Sequence, residues 1–461
     1  MNKRLSIVGK RRLIRNGQTP EDRRARNLCL FALEKGLDAV DPARAVHHWI
    51  RASRRRLRVG ELSISKPTRI VALAVGKASV PMLSSAFRTL GNRIISAMLI
   101  TTKTESITTI DKRVTIFRTA HPVPDAEGKR ASRYILESIQ RMDPDELLLC
   151  LISGGASAMM PAPTTDVALG DKQSVTQWLI RSPASIHQLN TVRKHLSDLK
   201  GGRLVEHCTA GRIISLIVSD VPGNNLTDIG SGLTAPDPTT FQDAINVLKE
   251  FDLWDSAPRS VKNHLKLGSL GRIRETPKAG DDMFQRVHNV IIADNSTACR
   301  AIHEALGRRH APAQILTSAV DTEARALGSL LGSMAKDFGA YSGPRKKTRA
   351  VILGGETIVD VKGTGRGGRN QEVALSTVER LAGLQGVAIA TLGTDGVDGN
   401  SPAAGAIVDG RSLAHATRLG LDIQKIAARN DSYRFFRRLG DSIVTGRTGT
   451  NVGDIYLLVH A

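Results

Sequence analysis

At 461 residues the chain is past the size at which a single hydrophobic core stops growing, so two or three domains are expected. Hydrophobic residues make up 41% and aromatics 3%, which leaves Leu, Ile, Val and Ala to build the cores; the longest strongly apolar run, LLLCLIS at 147–153, falls far short of the ~18 residues of a membrane span. A net charge of +21, from 65 Lys and Arg against 44 Asp and Glu, admits nucleic acid, an acidic membrane surface or small anions as partners.

In chain order, the acid-free opening MNKRLSIVGKRRLIRNGQ is Arg-rich like a transit segment but poor in serine, and residues 1–23 read as a disordered basic extension. ARNLCLFALEKGLDAVDPARAVHHWI (25–50) has apolar residues at three-to-four spacing and predicts an amphipathic helix. The basic runs RASRRRLR (51–58) and PRKKTR (344–349) read as solvated surface, and no stacking aromatics are interleaved with them, which argues against single-strand nucleic-acid binding. Strands are predicted in TRIVALAVGKAS (68–79), SAMLITT (96–102), VTIFRTA (114–120), LLLCLIS (147–153) and IISLIVSD (213–220). The polar stretch 255–282 is the best domain junction. The pattern then restarts with NVIIAD (289–294), a helix, APAQILTS, a second helix, RAVILGGE (349–356), VAIATLGTDG (387–396) and DIYLLVHA (454–461). Strands alternating with helices predict an α/β fold with largely parallel sheets. The four scattered cysteines, without a CxxC pair, argue against a disulfide framework or zinc site and suit a reducing cytosol.

Several apolar strands end in glycine beside a polar residue: AVGKAS, LISGGASA, IVSDVPG, LGGET and TLGTDG. In open α/β sheets ligands bind at the carboxyl ends of strands, and glycine there admits close backbone approach to an anion. The Ser153–Ser157 loop, SGGAS, fits both a phosphate cradle of amides and hydroxyls and a plain strand–helix turn. Lys77, after Gly76, reads as an anion anchor or a surface lysine. Arg193, Lys194 and Lys200 lie on or after a predicted helix, where solvent-facing charge is the default; His195 has no nucleophile beside it in sequence. Asp220, Asp395 and Asp398 sit at strand ends, suited to Mg²⁺ or to capping turns. GTGRGGRNQE (363–372) matches G-x-G-x-x-G but no long buried strand leads into it, so it fits an anion site with Arg369 as forked donor, or a basic hairpin loop.

Together VGKAS, HPVPDAEG, LISGGASAMMPAP, LNTVRKHLSDLKGGRL, SDVPGNNLTDIGSGLTAPDPT, GGETIVDVKGTGRGGRNQEVALS, GTDGVDGNSPAAGAIVD and NDSYRFF…VTGRTGTNVGDIYLL resemble, in order and spacing, the glycerate 2-kinase family. These are ATP-dependent glycerate kinases that include bacterial proteins once labelled hydroxypyruvate reductases. The resemblance runs from about Arg24 to the C-terminus. It implies a larger Rossmann-like N-terminal domain (24–285) and a smaller α/β C-terminal domain (286–461, its last strand a candidate to return to the first), with the active site in the cleft between them. It implies phosphoryl transfer from ATP to the 2-hydroxyl of D-glycerate with Mg²⁺ or another divalent cation. The alternatives are hydroxypyruvate reduction and a kinase for a related small hydroxy acid.

By the same resemblance Lys77, Arg369 and Asp220 are the catalytic candidates. Ser153, Gly154, Gly155, Ser157, Lys200, Glu356, Asn370 and Asn451 are expected at nucleotide or phosphate; Lys77, Arg193 and Arg369 at substrate; Asp220 and Asp395 at the metal. The expected partners are ATP and D-glycerate, with no nucleic acid and no membrane, in the cytoplasm, as monomer or homodimer. Ala156, Asn224, Leu233 and Arg447 depart from the family pattern and bear on the choice of substrate.

Overall fold

A computed structural model describes residues 5–53, 56–64, 68–105, 107, 111–340 and 349–461. Parts of the expected extension (1–4) and of the basic runs (54–55 and 344–348) lie outside the described residues. The chain separates into two compact units. One, the parallel-sheet unit, comprises Pro42–Ser219 and Asn224–Ile292; the other, the mixed-sheet unit, comprises Met1–Asp41, Asp220–Gly223 and Ala293–Ala461. Among the described residues no helix is long and apolar enough to cross a membrane.

In the parallel-sheet unit, β1 (Ile70–Val75), β2 (Ile94–Thr102), β3 (Val114–Thr119), β4 (Leu147–Ser153), β5 (Arg212–Val218) and β6 (Val287–Ala293) form a sheet in the order β3-β2-β1-β4-β5-β6. The pairs β1–β2, β1–β4, β2–β3 and β4–β5 are parallel. β1, IVALAV, and β4, LLLCLIS, are buried at every position, as strands covered on both faces must be. Chain order reverses at β1, which has β2 on one side and β4 on the other, so the ends of β1 and β4 form a switch point. A small antiparallel sheet of Ile50–Ala52, Leu57–Val59 and Leu62–Ile64 precedes β1.

In the mixed-sheet unit, β7 (Ala313–Val320), β8 (Arg349–Gly355), β9 (Val387–Gly393), β10 (Gly405–Asp409), β11 (Ser442–Ile443) and β12 (Asp454–His460) are ordered β7-β8-β12-β9-β10-β11. Here β7–β8 is parallel, whereas β12 runs antiparallel to both β8 and β9, and β9–β10 and β10–β11 are antiparallel. The expectation of largely parallel sheets therefore fails in this unit. β9 reaches β10, and β11 reaches β12, through loops without a crossover helix, and such returns reverse strand direction. The last strand lies in the middle of this unit's own sheet rather than returning to the other.

The N-terminal boundary also differs from expectation. Residues 10–15 and 20–39 are helical, the second helix opened by Pro20 and a Thr19–Asp22 capping box. Arg26, 1% exposed, joins Asp409 (Nε–Oδ2 2.5 Å), both oxygens of Asp441 (2.7 and 3.0 Å) and the Leu13 carbonyl (2.9 Å). A charge inside an apolar helix pattern reads as surface in sequence; here it is the buried anchor that makes 5–41 part of the mixed-sheet unit rather than a disordered extension. The helix expected over 25–50 breaks at Pro42, giving Pro20–Ala39 and Pro42–Trp49 on either side of a unit border. The junction expected within 255–282 instead carries a helix, Arg259–Ser269, and the border falls at Ile292/Ala293.

Candidate functional site

In the parallel-sheet unit the ends of β1 and β4 interlock. Gly76 has φ +113°, and a Cβ there would lie 2.4 Å from the Ser153 carbonyl and hydroxyl oxygens, so only glycine lets the two turns touch. Ser153 Oγ accepts from the Ala78 N–H (3.0 Å) and donates to the Val75 carbonyl (3.2 Å), while the Lys77 N–H donates to the Gly154 carbonyl (2.9 Å). Ser153 is 1% exposed. Its hydroxyl, expected at phosphate, instead ties Lys77's turn to the SGGAS loop. Gly155, at φ +91°, passes so close to His121 that a Cβ would lie 3.0 Å from the ring. The buried Ala156 methyl lies under the Gly230 backbone, so it does not obstruct the loop's exposed side.

Ser157 leads into a chain of hydrogen bonds whose direction can be worked out. The Asp228 carboxylate accepts, so Asn190 turns its amide nitrogen to Asp228 (3.3 Å) and its oxygen to Ser231 Oγ (3.0 Å). Ser231 commits its proton to Asn190 and therefore accepts from Ser157, 2.8 Å away. Ser157, with its own proton engaged, meets a ligand as an acceptor. That arrangement suits a substrate hydroxyl better than a phosphate oxygen, the role expected for it.

Two cations, Lys77 and Arg193, lie near this loop. Packing around its ring pushes the His121 imidazole down, and the Lys77 and Arg193 cations push it further; the residue is open to solvent, which offsets part of the first effect. Both cations thus act on one ring, His121, which carries no local signal in the sequence beyond its place in HPVPDAEG. Arg193, half-buried near the end of the helix Ile186–His195, is pushed down to about 10 by burial, with no acid bonded to its guanidinium among the described residues. The same helix is held by the buried Lys194–Asp237 pair (2.8 Å) and by His195, bonded to the Thr191 carbonyl and Glu275 (2.8 and 2.9 Å).

Lys200, expected at phosphate, is 1% exposed and donates to the Met160 carbonyl. Lys172 donates to the Pro161 and Leu196 carbonyls, both at 2.7 Å. These two lysines clamp the chain that follows the SGGAS loop. Burial, then Arg193, pushes Lys200 down to about 7. The folded state then binds fewer protons than the unfolded state between about 7 and the ordinary lysine value of ~10.4, so the cost of burying Lys200 is full below about pH 7 and fades as pH rises through that window. Lys200→Met is expected to flatten the rise in melting temperature with pH across that window, read by calorimetry; an unchanged slope would place the proton elsewhere.

The mixed-sheet unit gathers a different set. Arg369 opens the helix Arg369–Leu381, yet the N–H groups behind it are already taken. Asp398, 2% exposed, accepts from the Asn370 and Gln371 N–H groups (3.0 and 2.8 Å) and from the Gln371 side chain (2.9 Å). Burial pushes Asp398 up to about 6, against those hydrogen bonds. This helix end is therefore capped from within the chain, correcting the anion-site reading of GTGRGGRNQE. Its glycines serve backbone packing: a Cβ on Gly363 would lie 2.3 Å from the Arg429 carbonyl oxygen, and one on Gly368 would lie 2.4 Å from Asp398.

The Arg369 guanidinium spans two carboxylates: Nε and Nη2 to Asp454 (2.5 and 3.2 Å), and Nη1 to Glu356. Despite burial, which alone would lower it, Asp454 and Glu356 hold its pKa above the ordinary arginine value. Glu356 is pushed up by burial, with Asp454 and Asp220 adding to the rise; its side chain is 40% exposed, so solvent screens part of it. Asn370, 1% exposed, donates to Asp454 (2.9 Å), and Asn451 donates to Asp220 (3.0 Å), so both expected nucleotide contacts hold carboxylates in place. Asp395 accepts from the Val397 N–H (3.1 Å) in a tight turn. Glu356 and Asp454 on one guanidinium, with Asp220 acting on Glu356, make a locally acidic cluster. Among the described residues no three His, Cys, Asp or Glu side chains are arranged to hold a metal by themselves.

Two families match the sequence: the domain of unknown function DUF4147 over residues 29–266 and the MOFRL family over residues 349–454. Glycerate 2-kinase of Pyrococcus horikoshii is 34% identical over 440 residues, covering 94% of this chain and 97% of that protein. D-glycerate 2-kinase of Thermotoga maritima is 36% identical over 432 residues, covering 94% and 97%. The crystal structure of a Thermotoga maritima glycerate kinase superposes with a TM-score of 0.82 at 35% identity, covering 94% of this chain and 99% of that one.

Proposed function

The chain belongs to the glycerate 2-kinase family, and on that premise we propose that it transfers the γ-phosphate of ATP to the 2-hydroxyl of D-glycerate, giving 2-phospho-D-glycerate and ADP. The observation that carries this reading is Arg193, a half-buried guanidinium bonded to no acid among the described residues, acting with Lys77 on one imidazole. Such a pair is suited to the substrate's carboxylate and to charge developing on the transferred phosphoryl group. Ser157, an acceptor by its hydrogen-bond chain, takes a glycerate hydroxyl.

The excess of carboxylate oxygens at Glu356, Asp220 and Asp454 over one guanidinium fits a hard divalent cation brought in with the nucleotide. Asp220 and Glu356 would hold it, and Asp395 lies in the neighbouring turn. When bound, Mg²⁺ supplies charge neutralisation on the β- and γ-phosphates. Arg369 keeps the carboxylates together and has two guanidinium N–H groups left over from its three bonds.

A coupled assay with ATP, Mg²⁺ and D-glycerate, with NMR of the product, tests the reading. ADP release that depends on D-glycerate and yields the 2-phosphate is expected. NADH or NADPH oxidation with hydroxypyruvate, and no ADP release, would overturn it in favour of a reductase.

A further inference from the structure

The small antiparallel sheet before β1 carries a cluster that the phosphotransferase chemistry does not use. Strands Ile50–Ala52 and Leu57–Val59 pair in a register that sets Arg51 directly opposite Arg58. Directly opposed residues share one face with Cβ atoms about 4.5–5.5 Å apart, and like charges there destabilise the pair. Beside them is a pocket of about 210 Å³ lined by His48, Trp49, Arg51, Arg58 and Gly60, with no acid among the described lining residues.

Several contacts shape this pocket. The Gly60 N–H donates to the Trp49 carbonyl (2.9 Å). Gly60 has φ +57°, and a Cβ there would lie 2.7 Å from Trp49 Cζ3, so the indole rests against a position that only glycine leaves open. Arg58 Nε donates to the Gly60 carbonyl (2.7 Å), which fixes the root of its guanidinium and leaves the terminal nitrogens for another acceptor. The His48 ring stands edge-on to Trp49, with centroids 6.4 Å apart and planes at 83°.

Two forked donors and an imidazole around one indole, without a neutralising acid among the described lining residues, match an anion joined to a flat ring. Guanidinium groups bind phosphate oxygens bidentately, and an indole face stacks on a planar group. We propose that this pocket binds a small aryl or heteroaryl phosphate monoester, with the dianion bridging Arg51 and Arg58 and the ring against Trp49. The bridging charge relieves the repulsion that the strand register imposes. The pocket is smaller than the ~300–1,000 Å³ of ordinary ligand sites, which limits the occupant to about one phosphate and one ring and disfavours a polymer.

Phenyl phosphate is the probe, titrated into the full chain with tryptophan fluorescence and calorimetry as parallel readouts. Saturable binding is expected, with part of the emission quenched. In the double variant Arg51→Gln/Arg58→Gln affinity should fall at least about tenfold, as loss of charge-assisted hydrogen bonds implies. Trp49→Phe should remove the optical change while calorimetry still detects binding. Turnover of D-glycerate by the double variant should stay at the wild-type value, and the binding arm reads out whether or not D-glycerate is the substrate. Equal affinity in wild type and double variant, an unchanged quench in Trp49→Phe, or no binding up to about 10 mM would overturn the proposal. So would a single-stranded oligonucleotide that needs both arginines while phenyl phosphate does not bind.

Discussion

Arg193→Ala is expected to lower kcat/KM for D-glycerate by about 10²–10³-fold, the range for losing one preorganised donor, while leaving the melting temperature at or above wild type. The two halves of this expectation have one cause. Arg193 is half-buried and its pKa is pushed down to about 10 by burial, so it stays charged at neutral pH without a bonded acid among the described residues to balance it. It contributes to lowering both His121 and Lys200, which means that the folded protein carries its repulsion. Removing the guanidinium relieves that repulsion and breaks no ion pair among the described residues. A substrate carboxylate or phosphoryl oxygen supplies the missing counter-charge, so the loss appears when the anion binds. Steady-state kinetics beside calorimetry checks both halves. A variant that melts several degrees lower would make Arg193 structural, and near-wild-type kcat/KM would remove it from the site.

What could be read from sequence divides along physical lines. Strands buried on both faces, such as β1 and β4, announce themselves as unbroken apolar runs, and the Gly76-Lys77 turn follows from where such a run stops. The partners of the loops are not local. GTGRGGRNQE looks like an anion loop because glycine next to arginine is common to phosphate sites and to tight backbone packing. Only the approach of Asp398 and Arg429, 28 and more residues along the chain, decides for packing. The Ser153 hydroxyl is likewise engaged from a distance, by Val75 and Ala78 on a different strand end. His121 carried no local signal beyond its place in HPVPDAEG, since its meaning lies in two cations that arrive from β1 and from the helix Ile186–His195. Arg26 was hidden by its own chemistry, because a lone arginine on a helix reads as solvated until Asp409 and Asp441 are brought beside it.

Arg369→Ala should behave differently from Arg193→Ala, losing stability as well as activity. Its guanidinium lies between Glu356 and Asp454, and Asp454 is 1% exposed. Deleting one partner of a buried pair leaves the other charge uncompensated, a loss of about 3–5 kcal/mol, or roughly 3–5 °C in melting temperature for a chain of 461 residues. The pH dependence gives the cause away. Glu356 is already pushed up by burial and by Asp454 and Asp220, and removing Arg369 takes away the cation that opposes this rise. An acid whose pKa is raised by folding binds more protons folded than unfolded, so stability rises as pH falls through the carboxylate range. That rise should be steeper in Arg369→Ala than in wild type. Arg369→Lys keeps one positive charge but cannot fork across two carboxylates, so it should recover part of the stability and little of the rate. Melting curves between about pH 5 and 8 for the three proteins, with turnover measured on the folded fraction, separate the roles. A wild-type melting temperature without turnover would confine Arg369 to substrate, and normal turnover per folded molecule would leave it a purely structural tie.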